Sequence, residues 1–181
     1  MKIFSAIISL FLIELVLSGF SLCQNIDSIT VRYARTVSSF SSEYSKTSYS
    51  VNQILGIPDT YPSYGDNPSA WASYTADSQR EYLELKYSDA EPIQYVAVYE
   101  TYNPGAVDTI YVKNPSTGKW VVVWLGVAQS AVESSRVFLV SFPMTSFNVS
   151  EIRLAINSPK VDGWNEIDAV AISDEAIETK P

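Results

Sequence analysis

The stretch Gln94-Tyr95-Val96-Ala97-Val98-Tyr99-Glu100 decides the fold, because both of its alternating faces are apolar. Tyr95, Ala97 and Tyr99 fall on one side of a period-two ribbon, with Val96 and Val98 on the other. That is the pattern of a strand covered on both faces. Trp120-Val121-Val122-Val123-Trp124-Leu125 reads the same way, so both stretches are expected to be central strands. Outward from them, Leu83, Leu85 and Tyr87 alternate with Glu84 and Lys86, and Ile152, Leu154 and Ile156 alternate with Arg153 and Ala155. Shorter strands are expected at residues 30–36, 107–112, 137–142 and 166–172. Asn103-Pro104-Gly105, Asn114-Pro115-Ser116-Thr117-Gly118 and Asp162-Gly163 punctuate the runs. About eight short strands separated by turn signals indicate one antiparallel sandwich. No window sustains a helical period beyond a single short turn at residues 48–55, ahead of Gly56.

The 181 residues include 12 Lys+Arg, 20 Asp+Glu, one Cys and no His. Without imidazole there is no Ser-His-Asp or Cys-His nucleophile and no His-ligated zinc. A net charge of −8 with no Lys/Arg cluster disfavours nucleic acid and anionic membrane, both of which need a concentrated basic face. Residues 1–23 read as a secretory signal peptide: Lys2, then a nearly unbroken apolar run, then small Ser21 and Cys23 before a cut at Gln24. Glu14 in mid-run and the lack of a basic stop-transfer cluster argue against a membrane anchor. Bulky Phe20 and Leu22 argue against a lipoprotein site at Cys23. Cleavage removes Cys23, the only cysteine, so the expected mature domain, residues 24–173, has no disulfide and relies on core burial. Residues 174–181 are expected to be an acidic polar tail.

The longest irregular segment is residues 56–74, with Pro58, Pro62, Pro68, Gly65 and Asn67. Tyr61, Tyr64, Trp71 and Tyr74 within it argue for an ordered, packed loop, since rings of that size are unfavourable in water. Residues 38–50, rich in Ser, Thr and Tyr, are read as a packed lead-in to it.

Certain blocks of the chain resemble a known family. They are Phe40-Ser41-Ser42-Glu43-Tyr44-Ser45, Gln53-Ile54-Leu55-Gly56-Ile57-Pro58-Asp59, Tyr61-Pro62-Ser63-Tyr64-Gly65-Asp66 and Ala70-Trp71. They continue with Tyr82-Leu83-Glu84-Leu85, Tyr99-Glu100-Thr101-Tyr102-Asn103-Pro104-Gly105-Ala106-Val107 and Trp164-Asn165-Glu166-Ile167-Asp168-Ala169-Val170. Together they are similar to discoidin-like domains, the coagulation factor V/VIII C-type branch of the galactose-binding-domain-like sandwiches. The likeness is greatest to the discoidin-like domain ahead of the leucine-rich repeats in one F-box protein type, and to related secreted proteins. The resemblance implies an all-β, eight-stranded antiparallel jelly-roll sandwich that binds glycans, lipids or proteins through loops at one end and is usually not an enzyme. It also implies a structural calcium near the meeting of the early loop and the last strand, for which Asp59 and Glu166 are the matching positions, with Asp66 as a further candidate oxygen donor. The competing reading has Asp59 capping a turn and Glu166 paired with a base such as Arg153.

The ligand face is expected at residues 56–74, 102–106 and 157–165, where sugar rings stack on aromatic faces while amides and carboxylates bond the hydroxyls. Its candidate residues are Tyr61, Tyr64, Asp66, Tyr102, Asn103 and Trp164. The bland alternative is that these rings pack the loops and that Trp71 and Trp164 plug the sandwich end. Glu100 with Asp168, or Glu166 with Asp66, are the acid pairs a glycosidase would need. Glu81 and Glu84 read as solvated strand-face charges. Asn148-Val149-Ser150 is the one permissive N-glycosylation triplet. The sequence therefore favours a secreted, non-enzymatic module for an extracellular glycan or glycoprotein. A structural or adhesion component working by protein contacts is the alternative, and a glycoside hydrolase comes third.

Overall fold

The computed structural model describes residues 31–178. Two antiparallel sheets face each other: a four-stranded one in the order β1-β9-β4-β7 and a five-stranded one in the order β2-β3-β8-β5-β6. The strands are β1 Arg32–Tyr33, β2 Thr36–Phe40, β3 Glu81–Glu91, β4 Tyr95–Tyr102, β5 Val107–Lys113, β6 Trp120–Leu125, β7 Arg136–Ser141, β8 Val149–Ile156 and β9 Glu166–Ser173. The first expected strand is split. The Ala34 N–H donates to Val170 on one sheet and the Arg35 N–H to Lys86 on the other, so the chain changes sheet between them. The expected short turn is a 3₁₀ segment at Val51–Ile54.

Alternation on β3 and β8 sorts as expected. Leu83, Leu85, Tyr87, Ile152, Leu154 and Ile156 point into the core, while Glu84 faces Arg153 and Lys86 faces Glu151 directly across the ladder. Opposite charges in register stabilise such pairs modestly. Arg153 bonds the Glu84 carboxylate and lies over the rings of Tyr82, at 5.4 Å, and Trp120, at 4.7 Å. Glu81, in contrast, is not a solvated charge: it is buried, and accepts hydrogen bonds from Ser41 Oγ and Gln79 Nε2.

The two doubly apolar stretches separate. β4 is internal, between β9 and β7, with Val96 and Val98 in the main core. Its outer face is covered: Ala97 and Tyr99 join Ala169, Ala171 and Ile177 in a second apolar cluster, with Tyr33, Tyr61 and Tyr95 packed on it. Ile177 thus docks part of the expected polar tail back onto the sheet. β6 is an edge, hydrogen-bonded only to β5, and Val122 and Leu125 are 51% and 73% exposed. A register shift opposite Ile110/Tyr111 turns Trp124 toward the core, where it meets Phe138 edge-to-face at 5.1 Å. The expectation of a central strand fails here because a second covering layer, which composition alone does not reveal, is missing.

The long loop is ordered and pinned. Trp71, fully buried, forms a two-bond antiparallel bridge with Ile167, and its indole N–H donates to the Ser42 carbonyl. Trp71→Ala should therefore lower unfolding stability by about 3–5 kcal/mol with an unchanged urea slope, as large-to-small core changes do. Trp164→Ala, at a ring left partly in solvent, should reduce the urea midpoint far less.

A pocket of aromatic walls and a carboxyl pair at the loop end

Two strand ends and two loops assemble the candidate site. Tyr44 and Tyr49 come from the lead-in after β2, Asp66 and Ala72 from the long loop, Tyr102 from the end of β4, and Trp164 and Glu166 from the approach to β9. Together they line a shallow pocket of about 90 Å³. Tyr44 meets Tyr49 edge-on at 5.4 Å and Trp164 edge-on at 6.0 Å, the favourable arrangement for aromatic quadrupoles. Tyr64 leans on Tyr102 at 5.7 Å and carries the aromatic surface beyond the rim.

Each wall is fixed by its backbone. Tyr49 sits at φ 53, held by its N–H to the Pro68 carbonyl and by the Ala72 N–H to its own carbonyl. Asn103, at φ 41, donates from Nδ2 to the Trp164 carbonyl, and Asn165 Nδ2 returns the bond to the Asn103 carbonyl. Gly163 permits this clasp: at φ +88, a Cβ there would lie 2.7 Å from Asn103 Nδ2. The Trp164 indole N–H reaches the Ser73 carbonyl at 3.1 Å, leaving the ring 39% exposed.

The carboxyls occupy the pocket's polar side. Glu166 is 1% exposed, and its Oε2 accepts the Asn67 N–H at 3.1 Å. Asp66 accepts from the Tyr49 hydroxyl at 2.5 Å and lies within hydrogen-bonding reach of Glu166. Burial, reinforced by the Asp66 charge and hydrogen bond, pushes Glu166 up to about 8 against the opposing Asn67 bond. The Asp66 bond pushes Tyr49 up to about 12. Burial thus favours the protonated form of Glu166 at neutral pH.

The other expected residues are placed elsewhere. Tyr61 lies edge-on against Tyr99 at 5.4 Å on the outer face of the four-stranded sheet, away from the pocket lining. Asp59 is exposed, and its N–H, with those of Thr60 and Tyr61, donates to Asp168. Asp168 is buried and raised by that burial against the three opposing bonds. Glu100 accepts from Arg136 and from the Gly105 N–H, so the Glu100 and Asp168 carboxyls serve separate loops. Arg153 pairs with Glu84, not with Glu166. Asp66 and Glu166 do meet, at the lining of this pocket. Asn148 is exposed just ahead of β8. Tyr44 and Tyr49 form half of the aromatic wall, and the sequence reading missed them; their signal was two large rings in a segment rich in Ser and Thr.

The calcium donors do not converge. Among the described residues no three acidic, His or Cys side chains gather, and Asp59 faces Asp168 while Asp66 faces Glu166. Calcium wants six to eight oxygens, and these three side chains do not come together to supply their share.

Over residues 21–179 the chain matches the family described as Pappalysin-1, SD scarf domain, C-terminal. It belongs to that family. The F-box/LRR-repeat protein 4 of Bos taurus is 29% identical over 78% of this chain, which spans 28% of that protein's length. Among solved structures, the family 32 carbohydrate-binding module of Streptococcus pneumoniae EndoD is 10% identical. It superposes with a TM-score of 0.59 over 80% of this chain and 99% of that one. XRCC1, solved bound to the DNA pol beta catalytic domain, is 16% identical and superposes at 0.60 over 81% of this chain and 100% of that one. The discoidin-like, galactose-binding-like sandwich expected from the sequence is the fold of this SD scarf domain.

Two measurements test the site's electrostatics. Glu166 keeps its proton in the folded state up to about pH 8 but releases it near 4.5 when unfolded. Its contribution is therefore full below pH 4.5 and lost as pH rises toward 8. The stability of the wild type relative to Glu166→Gln should fall across that window, by at most about 1.4 kcal/mol per pH unit. A pH-independent difference would overturn the assignment. Thermal midpoints in calcium and in chelator should coincide, and a gap of several degrees would reinstate a structural cation.

Proposed function

We propose that this SD scarf domain is a secreted, non-catalytic module that binds a terminal ring of an extracellular glycan or glycoprotein in the pocket walled by Tyr44, Tyr49, Tyr102 and Trp164. The observation that carries the reading is the convergence of four aromatic side chains and two carboxyls on one concave spot at the loop end. About 90 Å³ is well below the roughly 300–1,000 Å³ of enclosed small-molecule sites. Such a pocket takes the end of a chain and leaves the rest in solvent. The carbohydrate-binding module among the structural neighbours supports the same class of ligand. The signal-like residues 1–23 and the exposed Asn148 support an extracellular setting, although residues 1–23 lie outside the described part of the chain.

The exposed apolar edge at Val122 and Leu125 favours a second reading, a matrix or adhesion component that self-associates by pairing β6 with a second copy. The two readings separate by mutation. On a glycan array, Tyr102→Ala should reduce affinity by about tenfold through the lost stacking face, while Val122→Ser leaves it unchanged. A monomer at all concentrations by light scattering, with the array signal intact, supports the glycan reading. A Val122→Ser-sensitive oligomer without array signal supports self-association.

A further inference from the structure

Hydrogen-bonding capacity inside the pocket is unevenly spent. The Tyr49 hydroxyl is committed to Asp66, the Trp164 indole N–H to Ser73, the Asn67 N–H to Glu166 and the Asn103 amide to the Trp164 carbonyl. Apart from the Tyr44 and Tyr102 hydroxyls and the proton on Glu166, what faces a ligand is acceptors and aromatic faces: the oxygens of Asp66, the remaining Glu166 oxygen, and the rings of Tyr44, Tyr49, Tyr102 and Trp164. No Lys or Arg lines the pocket, and the base nearest in sequence, Lys46, pairs with Glu43.

A neutral sugar hydroxyl both donates and accepts, and sites built for it supply both partners. An ammonium group donates three times and accepts nothing, and it is attracted to aromatic faces by their quadrupoles. Glu166 adds an independent sign: it is 99% buried yet lines the pocket, with Oε2 alone taken by a backbone donor and only another carboxyl beside it. Asp66 is exposed beside the buried Glu166, and with no basic side chain in the lining a positive ligand is the group that completes this acidic side of the pocket. We infer that the ring seated in this pocket is an unacetylated amino sugar, its protonated amine held between the Asp66–Glu166 pair and the faces of Trp164, Tyr44 and Tyr102. The inference rests on the glycan reading and narrows it to one ligand class.

The test is calorimetric titration of the whole protein at neutral pH with three probes: a glucosamine trimer, the fully N-acetylated trimer and tetramethylammonium. The free-amine trimer should bind about tenfold more tightly than the acetylated one, and tetramethylammonium should compete with it. Asp66→Asn should bring the two trimers to within about twofold of each other, and Trp164→Leu should abolish tetramethylammonium binding, both in protein that circular dichroism shows to be folded. Equal affinity for the two trimers overturns the amine inference and leaves the glycan reading standing. Binding of tetramethylammonium but of neither trimer refutes the glycan reading while upholding the cation pocket. No binding of any probe overturns both.

Discussion

Buried carboxyl groups that accept loop N–H groups hold this end of the molecule together. Glu166 takes Asn67, Asp168 takes Asp59, Thr60 and Tyr61, and Glu100 takes Gly105. All three project from β4 and β9, the two inner strands of the four-stranded sheet. Each would be unfavourable to bury alone, and each becomes tolerable because backbone donors, which in a loop have no ladder to join, replace water around it. The exchange satisfies both sides, and a loop of nearly twenty residues is ordered by strands that belong to the core. The high acid content of the chain is thus partly structural, where the sequence alone suggested solvation of strand faces.

The sandwich itself was legible because period two survives wherever one face is wet. On β3 and β8 the alternation of Leu83 with Glu84 and of Leu154 with Arg153 gives the core side directly. The signal fails when both faces are apolar. β4 and β6 then look identical, although Tyr99 is covered by Tyr33 and Tyr61 while Val122 stands in solvent. What separates them is whether another segment reaches across the sheet, and that depends on loops and on Ile177 near the other end of the chain. A count of apolar residues along one strand holds no information about such distant partners.

The candidate site was legible to a similar depth. Asp66, Tyr102, Trp164 and Glu166 stand out as polar or aromatic residues in loops and at strand ends, and they converge. Tyr61 was misplaced because three successive N–H groups bind Asp168 and draw residues 59–61 over the outer face of the sheet, away from the pocket. Tyr44 and Tyr49 were missed for the opposite reason: Val51 N–H donates to Glu43, and Tyr49 exchanges bonds with Pro68 and Ala72, folding the lead-in against the long loop. These displacements depend on carboxylates and carbonyls far away in sequence, so no local pattern announces them.

Rigidity and selectivity at the pocket have a single origin. The Asn103–Trp164–Asn165 clasp, the Trp164 bond to Ser73 and the Tyr49 bond to Asp66 hold the rings in place before any ligand arrives, which lowers the ordering cost of binding. The same bonds consume the donors that a flexible site would keep for its ligand. A pocket stiffened in this way offers acceptors and aromatic faces almost alone, and the preference proposed for it, a ligand rich in donors, rests on the way its walls are built.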